Sequence, residues 1–348
     1  MNLINVRRRM AWLAGIILLA LSSCTQPTRD SQSNVGPEKK RVVLAVGGKT
    51  GIAYLPLTIA EQRGLFKAEG LDVDIQDLQG GAKALQAMVG GSAEVVIGYY
   101  DHTIQMQAIN KTLTAVALLA RYPGLVLGVR SDLADQVKQA SDLKGKKVGV
   151  TALGSSSQFF INHLLSQQGL KPSDISAIGI GANNAAVAAV EQKQVDALVN
   201  LDPMIAVLLS RGLIKILVDT RTERDTVKVY GGEYPGSALY TSQEFIERYP
   251  GATQRLVNAV VKALRWMHGK RPEEIAQSIP ESYFAGNKEI YLQGLASSFG
   301  TFSPDGRFSE AAPQKVLTVL SMFDEKVAQA KIDLSKTYTN RFVDNTPR

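Results

Sequence analysis

One cysteine, Cys24, occurs in the whole chain, so no disulfide can form within it. Three histidines, His102, His163 and His268, leave little material for a general base. The basic surplus is modest and scattered, without a basic stripe interleaved with aromatics, which argues against nucleic acid as a partner. Long apolar runs are missing too: residues 12–21 supply about ten apolar positions, too few to span a bilayer as a mature helix. The GGKT of residues 47–50 lacks the glycine that a phosphate loop needs five positions before Gly48, where Val43 stands in a strand pattern. No metal cluster and no cofactor is expected.

What is present begins with an export signal. Arg7, Arg8 and Arg9 precede the apolar stretch, and Ser22, Ser23 and Cys24 close it. The LSSC spacing resembles a bacterial lipoprotein box, which implies a signal peptide over residues 1–23 and lipidation of Cys24; the alternative is a spare thiol in a discarded signal. Residues 24–40 are polar, contain two prolines and show no apolar period, as suits a flexible tether. Losing residues 1–23 removes three arginines and no acid, lowering the formal charge from +7 to +4. The roughly 310 residues beyond are enough for two modest cores.

Those residues repeat one pattern. A buried-strand run (RVVLAVG, 41–47) leads through a loop to a helix entered at Pro56 and stopped by Gly64. Leu71, Val73 and Ile75 then alternate with polar residues as a strand with one wet face. Gly80 and Gly81 precede an alanine-rich helix, and EVVIG forms a strand ending at Tyr99, Tyr100 and Asp101. From Lys146 the order recurs: strand KKVGVTALG, a helix over residues 155–168, strand 175–180, Gly181, helix NNAAVAAVE, and strand VDALVN ending at Asp202. Two copies predict two α/β lobes on parallel sheets, whose ligand sits beyond the carboxyl ends of the strands. Later helices are expected to return to the first lobe, with chain crossings near residues 125–130 and 230–240 acting as a hinge.

The segments GIAYLPLTIAEQRGLFKAEGLDVDI, GGAKALQAMVGGSAEVVIG and SDLKGKKVGVTALGSSSQFF resemble the periplasmic binding proteins of ABC importers for nitrate, sulfonate, taurine and thiamine-pyrimidine precursors. The resemblance covers about residues 41–270. It implies the type II periplasmic binding protein fold, with a first lobe over residues 41–126 and 237–348 and a second over 127–236. It also implies a monomeric, non-enzymatic solute-binding protein of the periplasm or cell envelope, held to the membrane by its lipid and partnered by an ABC permease. An anion such as a sulfonate, carboxylate or nitrate is the first expectation for its ligand and a thiamine-pyrimidine-type heterocycle the alternative, while an extracytoplasmic serine hydrolase is a more distant alternative function. The related pyrimidine synthases depend on histidine and clustered cysteines; with only His102, His163 and His268 and no mature cysteine thiol, this chain departs from their pattern.

Candidate ligand contacts gather at the strand ends. Gly154, Ser155, Ser156 and Ser157 open a helix whose free amides and hydroxyls suit an oxyanion, although a serine there also serves as a plain cap. The stretch lacks the second glycine of a hydrolase elbow. Lys49, Thr50 and Tyr54 lie in the first loop, and Tyr99, Tyr100 and His102 surround Asp101, itself a possible helix cap. Asn200 and Asp202 hold the matching place in the second copy; Asp202 would grip an amine or cap the helix after it. Arg121, beside Tyr122, suits a carboxylate or sulfonate clamp or a surface ion pair. Gly232, with Gly231, Tyr234 and Pro235, offers amides at the second crossing or simply lets the chain bend.

Overall fold

The computed structural model describes residues 38–347; the signal, Cys24 and most of the tether lie outside the described residues. Ten strands form two mixed sheets: β1 (Arg41–Val46), β2 (Asp72–Asp77), β3 (Val95–Tyr99), β4 (Leu113–Leu118), β5 (Val126–Arg130), β6 (Lys147–Val150), β7 (Ser176–Gly179), β8 (Ala197–Asn200), β9 (Ile214–Asp219) and β10 (Ser237–Ser242). The first sheet has the order β2-β1-β3-β10-β4 and the second β7-β6-β8-β5-β9. Each carries one lobe of a periplasmic binding protein fold. The apolar run of β1 is explained by its place between β2 and β3, and the alternation of β2 by its place at the sheet edge.

The expectation of wholly parallel sheets is corrected in one strand of each. β10 runs antiparallel to β3 and β4, and β5 antiparallel to β8 and β9. The cause is the double crossing. A chain that leaves one lobe at the cleft, where the parallel strands finish, enters the other sheet from that same end and must run against its neighbours. Residues 126–130, expected as a crossing, are therefore β5 itself. The crossings are residues 119–125 and 231–236, joined by hydrogen bonds from Gly236 N to Ala120 O (2.9 Å) and from Leu119 N to Ser237 O (2.8 Å).

After β10 the chain continues mainly as helices. The amphipathic helix Pro250–Met267 buries Leu256, Val257, Val260, Val261 and Leu264 and packs against the helix Leu55–Gln62. The helix Lys288–Ser298 packs against both the helix Met204–Ser210 of the second lobe and the turn Ile52–Tyr54 of the first. On the opposite flank the helix Ser156–Ser166 of the second lobe meets the helix Ala312–Leu320 and Phe323, whose ring lies 6.1 Å from Phe159. The lobes are closed on one another along both flanks.

Candidate functional site

The strand ends of the two lobes meet across a glycine seam. A Cβ on Gly80 would lie 2.8 Å from Ala152 Cβ, one on Gly48 2.9 Å from Ala182 Cβ, and one on Gly51 2.6 Å from Leu201 Cδ1. Within this seam lies a cavity lined by Gly47, Tyr54, Gly81 and Tyr99 from the first lobe, Leu125 from the crossing, and Thr151, Ser155, Ser156, Ser157 and Leu201 from the second. Its water-accessible volume is ≈ 10 Å³, about one water molecule.

Ser155 precedes the helix Ser156–Ser166 without making a side-chain cap bond. Its hydroxyl donates to Ala152 O (2.7 Å) and lies 2.7 Å from Ser157 Oγ, which accepts from the Thr151 amide (2.9 Å). These two hydroxyls hold the turn. Ser156 Oγ instead crosses the cleft to donate to Asp101 Oδ1 at 2.7 Å.

Asp101 is 1% exposed and begins the helix Asp101–Gln107 rather than capping it. Burial lifts its carboxyl to about 7, opposed by the Ser156 hydroxyl and the His102 amide, with no cation contributing. Its charge in turn helps raise the phenols of Tyr54, Tyr99, Tyr230, Tyr234 and Tyr240, each already raised by burial, so the rings around it stay neutral. Tyr54 and Tyr99 meet edge to face at 6.3 Å, and Tyr230 stacks on Tyr234 at 4.0 Å.

His102 is fully buried, and loss of solvation pushes its imidazole down to about 4. Nδ1 stands 3.2 Å from Tyr240 Oη, while Nε2 has no hydrogen-bond partner. Ser156 Oγ is bonded to Asp101 and His102 Nδ1 to Tyr240, and no hydrogen bond joins His102 to a serine hydroxyl among the described residues.

Of the residues expected from sequence, Tyr54, Tyr99, Ser155, Ser156 and Ser157 line the cavity, and His102 stands behind it against Gly81. Others have different work. Lys49 is bound to Glu61 at 2.6 Å, and Thr50 lines a groove at the mouth with Asn183, Met204 and Tyr283. Tyr100 turns into the first lobe, 2.5 Å from Thr337 Oγ1 and against Phe308, because successive side chains leave a strand end on opposite sides. Arg121 lies over the Tyr122 ring at 5.2 Å, outside the cavity. Gly154 donates its amide to Gln158 Oε1 (2.6 Å), and Gly232 packs by Lys315. Asn200 binds Gly181 O (3.0 Å) and accepts from the Leu201 amide. The Asp202 carboxylate is taken up by Ala206 N, Ser298 and Arg221.

Sequence reasoning left Asp101 as a cap. The signal for Asp101 was its strand-end position matching Asp202. No group of three or more His, Cys, Asp or Glu that could hold a metal occurs among the described residues.

A family model described as NMT1/THI5 like matches residues 52–275. A solved protein of Bordetella bronchiseptica RB50 is 44% identical, with a TM-score of 0.85 over 88% of this chain and 96% of its own. The alkanesulfonate-binding protein SsuA from Xanthomonas axonopodis pv. citri, solved bound to MOPS, is 18% identical; its TM-score is 0.67 over 87% of this chain and 99% of its own. The 4-amino-5-hydroxymethyl-2-methylpyrimidine phosphate synthase THI11 of Saccharomyces cerevisiae is 27% identical over 217 residues, 60% of this chain and 62% of its own.

Proposed function

Because the chain belongs to the NMT1/THI5-like family, we propose that it is the solute-binding component of an ABC importer, lipid-anchored through Cys24 outside the cytoplasm, whose lobes close over a small molecule. The two-lobed fold shared with a protein that binds alkanesulfonates supports the binding role. Closure by hinge bending follows from contacts that a ligand makes to both lobes at once.

The observation that carries the ligand reading is the isolated Asp101 carboxyl. No lysine or arginine lines the cavity, and the buried acid bonded to its lining residue Ser156 has only that hydroxyl and a neighbouring amide for support. An anionic ligand would add like charge to this pocket, whereas a ring with an amino donor would satisfy the acid and lie among the tyrosines. The reading therefore moves from the anion first expected to a neutral or weakly basic heterocycle of the aminopyrimidine class. Such a ring needs more than ≈ 10 Å³, so the lobes hold it slightly farther apart than they stand here.

The test is a thermal-shift and calorimetric comparison of 4-amino-5-hydroxymethyl-2-methylpyrimidine, taurine, MOPS and nitrate. Only the pyrimidine should stabilise the protein saturably, and Asp101→Asn should weaken it by about tenfold or more, as expected for a hydrogen bond to a charged group. Saturable sulfonate or nitrate binding unaffected by Asp101→Asn would return the ligand to the anionic class.

A further inference from the structure

Asp202, the counterpart of Asp101 at the other strand end, has no group left for a ligand. It is 1% exposed. Its Oδ1 accepts from Ala206 N (3.0 Å), and its Oδ2 accepts from Ser298 Oγ (2.8 Å) and Arg221 Nη1 (3.1 Å). Arg221 is held in turn by Asp219 at 2.6 Å. The backbone carbonyl of Asp202 accepts from Ile52 N at 2.8 Å.

These bonds divide by lobe. Ala206, Arg221 and Asp219 belong with Asp202 to the second lobe, whereas Ile52 and Ser298 come from the other side. The helix Lys288–Ser298 packs on Met204–Ser210 of the second lobe, but its flanks are tied to the first: beyond Ser298, Gly306 O accepts from Leu118 N of β4 (2.8 Å), and Ile279 and Pro280, before the helix, lie beside Gln62 and Arg63. At the contact the helix presents Gly294, whose missing Cβ would lie 3.1 Å from Asp202 Oδ1 and 3.2 Å from Ala206 Cβ.

We propose that Asp202 is a latch of the closed state, gripping Ile52 and Ser298 of the opposite lobe and so setting the closing equilibrium, and with it ligand affinity, without touching ligand. The inference rests on the hinge-closure reading above. Opening breaks the bonds to Ile52 and Ser298 but keeps those to Ala206 and Arg221, so the carboxylate is never stranded without a partner. The latch can therefore release and re-form at little cost. Asp202 acts as a positioning residue.

Residue-resolved hydrogen exchange on the ligand-free full chain tests this, because the Ile52 amide is protected through Asp202 only while the lobes are closed. Ser298→Ala should speed Ile52 exchange about tenfold or more, the effect of losing a hydrogen bond to a charged group. Ser298→Asp, which sets a second carboxylate against the first, should speed it further. Amides of β3 should be unchanged in both. Unchanged Ile52 exchange in both variants overturns the latch. So does equal acceleration of Ile52 and β3, which would mark a merely structural contact. If Ile52 in the unmodified protein exchanges as slowly as β3, the lobes do not part short of unfolding, and the closure reading fails, taking the latch with it.

Discussion

At the residue scale the site is governed by what burial does to one acid. A carboxyl raised to about 7 binds more protons folded than unfolded between its ordinary value and 7. Its protonated form thus adds stability that is fully present below the ordinary carboxylate range and is lost as pH rises toward 7. The ligand-free protein should lose about 2–4 °C in thermal midpoint between pH 5 and pH 8 from this group. Asp101→Asn, which can still accept from Ser156, should remove that part of the slope; an unaltered midpoint-against-pH curve would deny Asp101 its buried, unpaired status. The serines were a legible but mixed signal. Their position at a helix start was right, yet Ser155 and Ser157 spend their hydroxyls on the turn. Replacing Ser157 would leave the buried Thr151 amide without its acceptor, so it would perturb folding as well as binding.

At the element scale the two lobes meet where glycines of one approach alanine and leucine side chains of the other. Gly80 has extended backbone that any residue adopts, so its glycine is explained by the neighbouring lobe and not by strain. Gly80→Val should leave helix content unchanged while weakening ligand binding at least tenfold and enlarging the radius of gyration in small-angle scattering; an equally compact, equally tight variant would mean that the seam is loose. The repeated glycine before an alanine-rich helix was visible in the sequence. What it faced was not, because the partner atoms of Ala152 lie more than seventy residues away in the chain. Tyr100 teaches the same lesson: adjacent to Tyr99 in sequence, it is sent by the strand's alternation into the first lobe, against Thr337 and Phe308.

At the scale of the whole molecule the hinge is where the two sheets depend on one another. A Cβ on Gly236 would fall 2.6 Å from the Tyr122 carbonyl of the other crossing, a backbone atom that cannot turn aside. Gly236→Ala should lower unfolding stability by about 1–3 kcal/mol in a urea titration through overpacking, and an unchanged midpoint would show that the crossings separate freely. Element order and the doubled α/β unit were legible in sequence, because hydrophobic period and glycine punctuation are local properties. The antiparallel strands, the bond of Asp101 to Ser156 across the cleft and the diversion of Asp202, Lys49 and Asn200 to protein partners were decided only by the tertiary structure. A side chain's charge state and occupation depend on which groups arrive from the other lobe, and no local pattern encodes that meeting.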